Sequence, residues 1–247
     1  MAWFGFLAES FRRSVEDARL RPDLFREAVI WSAVGGLLWL GLLTLGGTWW
    51  GPVWWGVVVA MLLTHVGMVE GDDGQRRADL GVPNALTLSR AWVVPALPAL
   101  TDVPWAFAVV IAIATGTDVL DGYLARRGDG TRLGAHMDHG VDTAFTITAG
   151  IAAAAAGLIP WWLGWAIVAR YALPILGLAA FYFATARQPP RDAFVRGRIP
   201  GGLLLLGLMA VTHPATQTGG VLLITVAVAW GLATLGASGF RSLRAAG

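Results

Sequence analysis

Long apolar segments separated by short polar loops constrain this chain more than any other feature of its sequence. Eight segments are apolar and long enough to be candidate membrane spans, which need about 20 residues each. They lie at roughly 28–46, 51–69, 84–100, 104–125, 134–157, 161–185, 197–213 and 219–238. Hydrophobic residues make up 56% of the chain and charged residues only 14%, whereas a soluble domain carries roughly 25%. The sequence therefore predicts an all-α polytopic membrane protein.

The arginines alternate between the loops of this predicted topology. They precede the first segment and follow the second, fourth, sixth and eighth, whereas the other four connections contain none. Because basic loops remain on the cytoplasmic side, eight spans with both termini in the cytoplasm fit every loop. The first 27 residues combine aromatic side chains with arginines and predict an amphipathic helix on the membrane surface. We expect a multi-pass protein of the cell (inner) membrane.

Four aspartates interrupt the apolar pattern. Asp118 and Asp121 lie near the end of the fourth segment, and Asp138 and Asp142 near the start of the fifth. A carboxylate at membrane depth costs about 3 kcal/mol, so such residues indicate a functional site. Residues three or four apart share a helix face, and the short loop 127–133 brings the two pairs together near the cytoplasmic side. Cysteine is absent, and carboxylate ligands favour Mg²⁺, Mn²⁺ or Ca²⁺.

Glycines and arginines flank these aspartates. Gly122 and Gly134 remove side chains beside the cluster, which allows a ligand or a neighbouring helix to approach. Arg126, Arg127 and Arg132 add positive charge at its rim. A divalent metal together with arginine suits a pyrophosphate-bearing substrate, which carboxylates alone would repel.

Three motifs carry a resemblance to a known family. They are Asp-x-x-Asp-Gly-x-x-Ala-Arg at 118–126, Gly-x-x-x-Asp-x-x-x-Asp at 134–142, and Asn-x-x-Thr-x-x-Arg at 84–90. Together they resemble the signature of the CDP-alcohol phosphotransferase family, with a connection of seven residues between the first two that is shorter than usual. The resemblance covers roughly 84–240, and it implies the six-helix core of that family.

The resemblance also implies how the chain is divided. The catalytic six-helix domain would occupy 84–247. Two additional transmembrane helices and a hydrophilic joint would occupy 28–83, and the amphipathic interfacial helix 1–27. The family is commonly homodimeric, so we expect a homodimer surrounded by membrane lipids and no nucleic-acid partner.

Each motif residue takes an expected role from the resemblance. The four aspartates would bind metal, two ions of Mg²⁺ or Mn²⁺, and Asp142 would also act as general base. The expected nucleotide-binding residues are Asp118, Gly122, Ala125, Arg126, Gly134, Asn84 and Thr87. The candidates for binding acceptor or lipid phosphate are Arg90, Arg132, Arg170, Arg196 and Arg198. A structural ion pair is the alternative for Arg170, and ordinary loop charge is the alternative for Arg196 and Arg198.

The implied reaction is attack of an alcohol hydroxyl on the phosphorus attached to the CDP-alcohol, with CMP leaving. The opening Asn84-Ala-Leu-Thr-Leu-Ser-Arg90 resembles phosphatidylglycerophosphate and cardiolipin synthases. With the size of the chain and a composition typical of a bacterial protein, this resemblance implies CDP-diacylglycerol as donor and a small polar or phosphorylated alcohol as acceptor, in phospholipid biosynthesis. The string Asp138-His-Gly-Val-Asp142 instead resembles choline- and ethanolamine-phosphotransferases, which transfer a CDP-linked headgroup to diacylglycerol. A divalent-cation transporter is the alternative from another class, but its acids would be spread along a transmembrane path.

Overall fold

The computed structural model is built from helices. It describes residues 12, 15–16, 19–44, 49–71, 74–185 and 198–246. The chain divides into two compact units. Unit 1 contains Met1–Ala99 and Gly116–Phe145, and unit 2 contains Leu100–Thr115 and Thr146–Gly247.

The helices follow the apolar segments of the sequence. They are α1 (Pro22–Thr44), α2 (Gly51–Thr64), α3 (Gly81–Val93), α4 (Leu97–Leu100), α5 (Pro104–Leu124), α6 (Arg132–Ala155), α7 (Trp161–Thr185), α8 (Arg198–Ala210) and α9 (Gln217–Ala246). Short 3₁₀ turns lie at Val66–Met68 and Val94–Ala96, and a π turn follows α5 at Ala125–Asp129. Across the described residues, the β structure amounts to a single bridge between Glu70 and Arg76. The predicted all-α class is confirmed.

Three of these helical stretches are long and apolar enough to cross a membrane, judged by length and composition. They are Pro22–Leu43, Pro104–Gly128 and Gln217–Gly236. Gly51–Thr64 and Ile199–Ala210 are also apolar but shorter. The helices therefore agree with a membrane protein, and the total of eight spans stays a prediction.

Prolines account for two differences between the predicted segments and the observed helices. α1 begins at Pro22 and not near Ala28, because proline is accommodated in the first helical turn, where its missing N–H is not needed. Residues 22–27 therefore belong to α1, while residues 1–11 of the predicted surface helix lie outside the described residues. The predicted third span is divided after α3, where Pro95 sits in the 3₁₀ turn and cannot donate to a helical ladder.

The core of unit 1 joins the N-terminal helices to the first helix of the predicted catalytic domain. Its buried members are Leu24, Ala28, Val58, Leu62, Val66, Val69, Leu80, Leu88, Ala91, Trp92, Leu133, Met137 and Val141. Trp54 Nε1 of α2 donates to Ala91 O of α3 at 2.8 Å. Gly35 of α1 packs so closely on the Trp92 ring that a Cβ there would lie 2.6 Å from it. The N-terminal helices and α3 therefore share one buried core, and the predicted division near residue 83 stays a prediction.

Unit 2 packs its helices through small residues. A Cβ on Gly207 of α8 would lie 2.9 Å from the carbonyl oxygen of Gly220 in α9. A Cβ on Gly150 of α6 would lie 2.8 Å from Ile167 of α7. Small residues at such positions allow the close backbone approach that stabilises helix pairs in a membrane.

Candidate active site

The four aspartates, which we call the aspartate tetrad, converge within unit 1. Asp118 and Asp121 lie near the end of α5, and Asp138 and Asp142 lie in the first turns of α6. One carboxylate oxygen from each of Asp118, Asp138 and Asp142 lies within 4.8 Å of the others. The side chains of these three are 43%, 39% and 41% exposed, so a ligand can reach them. Such a set of accessible carboxylates could hold a divalent metal ion.

The fourth member of the tetrad has a different environment. Asp121 is buried, with 4% of its surface exposed. Its carboxylate accepts a hydrogen bond from Thr87 Oγ1 at 3.1 Å and another from Arg90 Nη2 at 2.7 Å. Asp121 is therefore oriented by α3, which carries both donors.

Arg90 is a cation shared by all four members of the tetrad. Its guanidinium nitrogens lie 2.9 Å from Asp118, 2.7 Å from Asp121, 2.5 Å from Asp138 and 3.5 Å from Asp142. Its side chain is 4% exposed. The planar fork of a guanidinium presents several donors at once, which lets one side chain bridge several carboxylates. Arg90 thus offsets part of the repulsion within the tetrad. The predicted role of Arg90 in binding phosphate stays a prediction.

Asn84, Thr131 and Gly134 interlock α3 with the start of α6. Asn84 Nδ2 donates to Thr131 Oγ1 at 2.9 Å, and Thr131 Oγ1 also accepts from Gly134 N at 3.0 Å. Thr131 therefore caps the N-terminus of α6, a position that the sequence analysis missed. The signal was present, because threonine directly before a helix commonly accepts from the third helical N–H. A Cβ on Gly134 would collide with Asn84 Oδ1.

Gly134→Ala is expected to destabilise the protein by roughly 1–3 kcal/mol, because the added methyl group must displace Asn84 from Thr131. Gly140→Ala is the matched control, since Gly140 lies on the same helix, is exposed and has nothing within 4 Å of the added Cβ. The control should be neutral or slightly stabilising. Thermal unfolding in detergent measures both variants, and equal unfolding temperatures would contradict the interlock.

The remaining predicted nucleotide residues lie around the end of α5. A Cβ on Gly122 would lie 3.3 Å from Arg126 Nη1, so the absent side chain leaves room for this guanidinium. Ala125 starts the π turn, and its carbonyl oxygen accepts from Gly130 N at 3.2 Å. Gly128 has a φ of 114°, a backbone conformation that favours glycine. These residues shape a tight connection between the two halves of the tetrad.

The other predicted phosphate-binding arginines have varied surroundings. Arg132 Nη1 pairs with Glu70 Oε1 at 2.6 Å in unit 1. In unit 2, Arg170 is buried, and its guanidinium lies 5.0 Å from the centre of the Tyr171 ring. Arg198 is the first residue of α8, and Arg196 lies outside the described residues.

Comparison with known proteins identifies the family. The sequence model of the CDP-alcohol phosphatidyltransferase family matches residues 80–235. The chain belongs to this family, and the protein is a transferase of phosphate-containing groups. The family uses divalent metals, which agrees with the donor set of the tetrad.

Individual relatives are more distant. Proteins of Mycobacterium bovis and Mycobacterium tuberculosis, provisionally named cardiolipin synthase, are 34% identical to this chain over 98 residues. The match covers 38% of this chain and 47% of each relative, so the chain spans about half the length of the curated relatives it matches. No solved structure matches the chain significantly.

Proposed function

We propose that the protein transfers a phosphatidyl-type group from CDP-diacylglycerol to the hydroxyl of a small polar or phosphorylated alcohol and releases CMP. The observation that carries this proposal is the tetrad with three accessible carboxylates, in a chain of the CDP-alcohol phosphatidyltransferase family. The similarity to proteins named cardiolipin synthase supports a place in phospholipid biosynthesis.

The tetrad would hold two divalent ions, Mg²⁺ or Mn²⁺. Asp118, Asp138 and Asp142 offer accessible oxygens, and the buried Asp121 would complete the set. When bound, such ions stabilise negative charge on the transferred phosphate and on the leaving CMP. Carboxylates in oxygen-only coordination are the ligands that these hard cations prefer.

Asp142 is proposed as the general base. It is the tetrad member farthest from Arg90, at 3.5 Å, and its side chain is 41% exposed. A carboxylate with these properties can meet the acceptor and take its proton. The hydroxyl oxygen then forms a bond to the phosphorus that carries the lipid alcohol, the bond from that phosphorus to the CMP oxygen breaks, and Asp142 holds the proton.

The proposed nucleotide residues surround the same connection between the halves of the tetrad. Gly122 leaves room for the exposed Arg126, and Gly134 leaves room for Asn84. Asn84 and Thr87 belong to the hydrogen-bond networks that orient α6 and Asp121. Asp118 and Ala125 complete this proposed set. The proposed acceptor-phosphate residues are Arg90, Arg132, Arg170, Arg196 and Arg198.

The proposed setting is the cell (inner) membrane. The alternating arginine loops support eight spans, with both termini and the active site towards the cytoplasm. A homodimer is proposed from family resemblance.

An assay of CMP release from the purified protein tests the proposed reaction. We expect release with CDP-diacylglycerol and a suitable alcohol from a panel, in the presence of Mg²⁺ or Mn²⁺, and loss of release after chelation. CDP-choline or CDP-ethanolamine with diacylglycerol forms the second arm, and omission of the acceptor is the control for hydrolysis. If CMP is released only from CDP-choline or CDP-ethanolamine, the protein transfers a headgroup to diacylglycerol, and the proposed reaction is wrong. Release that survives chelation would exclude the metal assignment.

A further inference from the structure

The segment between α2 and α3, whose described residues are 65–71 and 74–80 and which we call the strap, is attached to the start of α1. Arg21 Nη1 donates to Val66 O at 3.4 Å, and Nη2 donates to Val69 O at 3.1 Å and to Arg77 O. Glu27 Oε2 of α1 accepts from Leu80 N at 2.9 Å, at the other end of the strap. The N-terminal helix therefore fixes both ends of this segment.

The strap also folds back on itself. Arg77 N donates to Val69 O at 3.1 Å, and Gly71 N donates to Gln75 O at 2.9 Å. The turn between them includes Gly74, whose φ of 73° favours glycine. These bonds give the strap a defined shape, so that a side chain on it can position another part of the molecule.

Residues 125–131, which connect the two halves of the tetrad, are called the motif loop. The strap also contacts this loop and the residue that follows it, Arg132. Arg77 Nη2 donates to Gly128 O at 2.9 Å. Arg132 N donates to Glu70 O at 3.0 Å, and Arg132 Nη1 pairs with Glu70 Oε1 at 2.6 Å. The strap is thus attached to the motif loop at Gly128 and to the first residue of α6, Arg132.

We infer that the strap positions the motif loop and the first turn of α6. Glu70 and Arg77 are then positioning residues for the proposed nucleotide-binding residues, which lie on and beside this loop. Thr131, which caps α6 and contacts Asn84, lies between the two attachments. The family match begins at residue 80, so these attachments come from residues outside it. This gives the additional N-terminal helices a role, since they hold the strap. The consequence for nucleotide affinity rests on the proposed function.

Hydrogen exchange tests the positioning without requiring activity. Glu70→Gln should speed amide exchange across residues 125–135 by roughly threefold to fivefold, because it removes one exposed ion pair and leaves the backbone bond to Arg132 in place. Glu70→Arg should have a larger effect, since like charges then oppose each other. The double variant Glu70→Arg with Arg132→Glu should return exchange towards the original rate. Asp79→Asn is the matched control, because Asp79 lies exposed on the same strap.

Kinetics then separate positioning from simple loss of stability. In Glu70→Gln we expect the KM for the CDP-linked donor to rise roughly in parallel with loop exchange, about threefold to fivefold, with kcat changed less than about twofold. Unchanged loop exchange in Glu70→Arg, failure of the charge swap to restore it, or faster exchange spread evenly over all helices would overturn the inference. Altered loop exchange with an unaltered KM would overturn its extension to the nucleotide site and leave the transferase proposal standing. Absence of CMP release from the unmodified protein would contradict only the proposed function.

Discussion

Asp142→Asn should lower kcat by about 10²–10⁴-fold while nucleotide binding stays largely intact. Asparagine has nearly the same shape as aspartate but cannot take a proton from the acceptor hydroxyl. Asp142 is the member of the tetrad farthest from Arg90, at 3.5 Å, and the other three carboxylates keep their closer contacts with that guanidinium in this variant. The fold should therefore survive the change. CMP release measures turnover. Displacement of a labelled nucleotide by the CDP-linked donor measures binding.

Asp102→Asn provides the matched control for this experiment. Asp102 is exposed and lies outside the tetrad, so the same chemical change there should leave turnover unaltered. Normal turnover in Asp142→Asn would refute the general-base assignment. Loss of donor binding in the same proportion as turnover would instead make Asp142 mainly a residue of the binding site.

Arg90→Met should be the most destabilising single substitution among the residues that contact the tetrad. It leaves Asp121, which is 4% exposed, without its cation, and removal of one partner from a buried ion pair costs about 3–5 kcal/mol. Thermal unfolding in detergent measures the loss. Added Mn²⁺ should recover part of the lost stability, because a divalent ion can take over the neutralisation of Asp118, Asp138 and Asp142.

Two further variants make the Arg90 prediction specific. Arg90→Lys should lie between the unmodified protein and Arg90→Met, because lysine keeps the charge but lacks the fork that bridges several carboxylates. Combining Arg90→Met with Asp121→Asn should restore part of the stability, since no unpaired charge is then buried. If Arg90→Met unfolds at the same temperature as the unmodified protein, Arg90 does not stabilise the tetrad.

Local sequence information predicted much of the helical structure. The predicted segment 161–185 coincides with α7, and the segment 104–125 differs from α5 by one residue. Both begin at or beside a proline and are mostly apolar over about 20 residues or more, so length and hydropathy suffice. The start of α1 was less predictable, because Pro22 opens a helix within a polar stretch that hydropathy alone assigns to a separate element.

Some contacts of the candidate site were also predictable from the sequence, and others were not. Spacings of three and four residues within α5 and α6, together with the short loop 127–133, predicted that Asp118 approaches Asp138 and Asp142. The contact of Arg90 with the tetrad could not be read from spacing, because it depends on how α3 packs against two other helices. The pair of Glu70 and Arg132 joins residues 62 positions apart, and no local pattern predicts such a contact.

The position of Arg90 also bears on how the chain is made. Synthesis proceeds from the N-terminus, and α3 carries Arg90 ahead of all four aspartates in the sequence. The cation would therefore already be present when the ribosome delivers the acidic ends of α5 and α6 to the bilayer. Carboxylates that arrive without a partner are costly in a lipid environment, and each of these arrives after its counterion. The linear order of the residues thus places the cation in the growing chain before the carboxylates that it contacts in the folded protein.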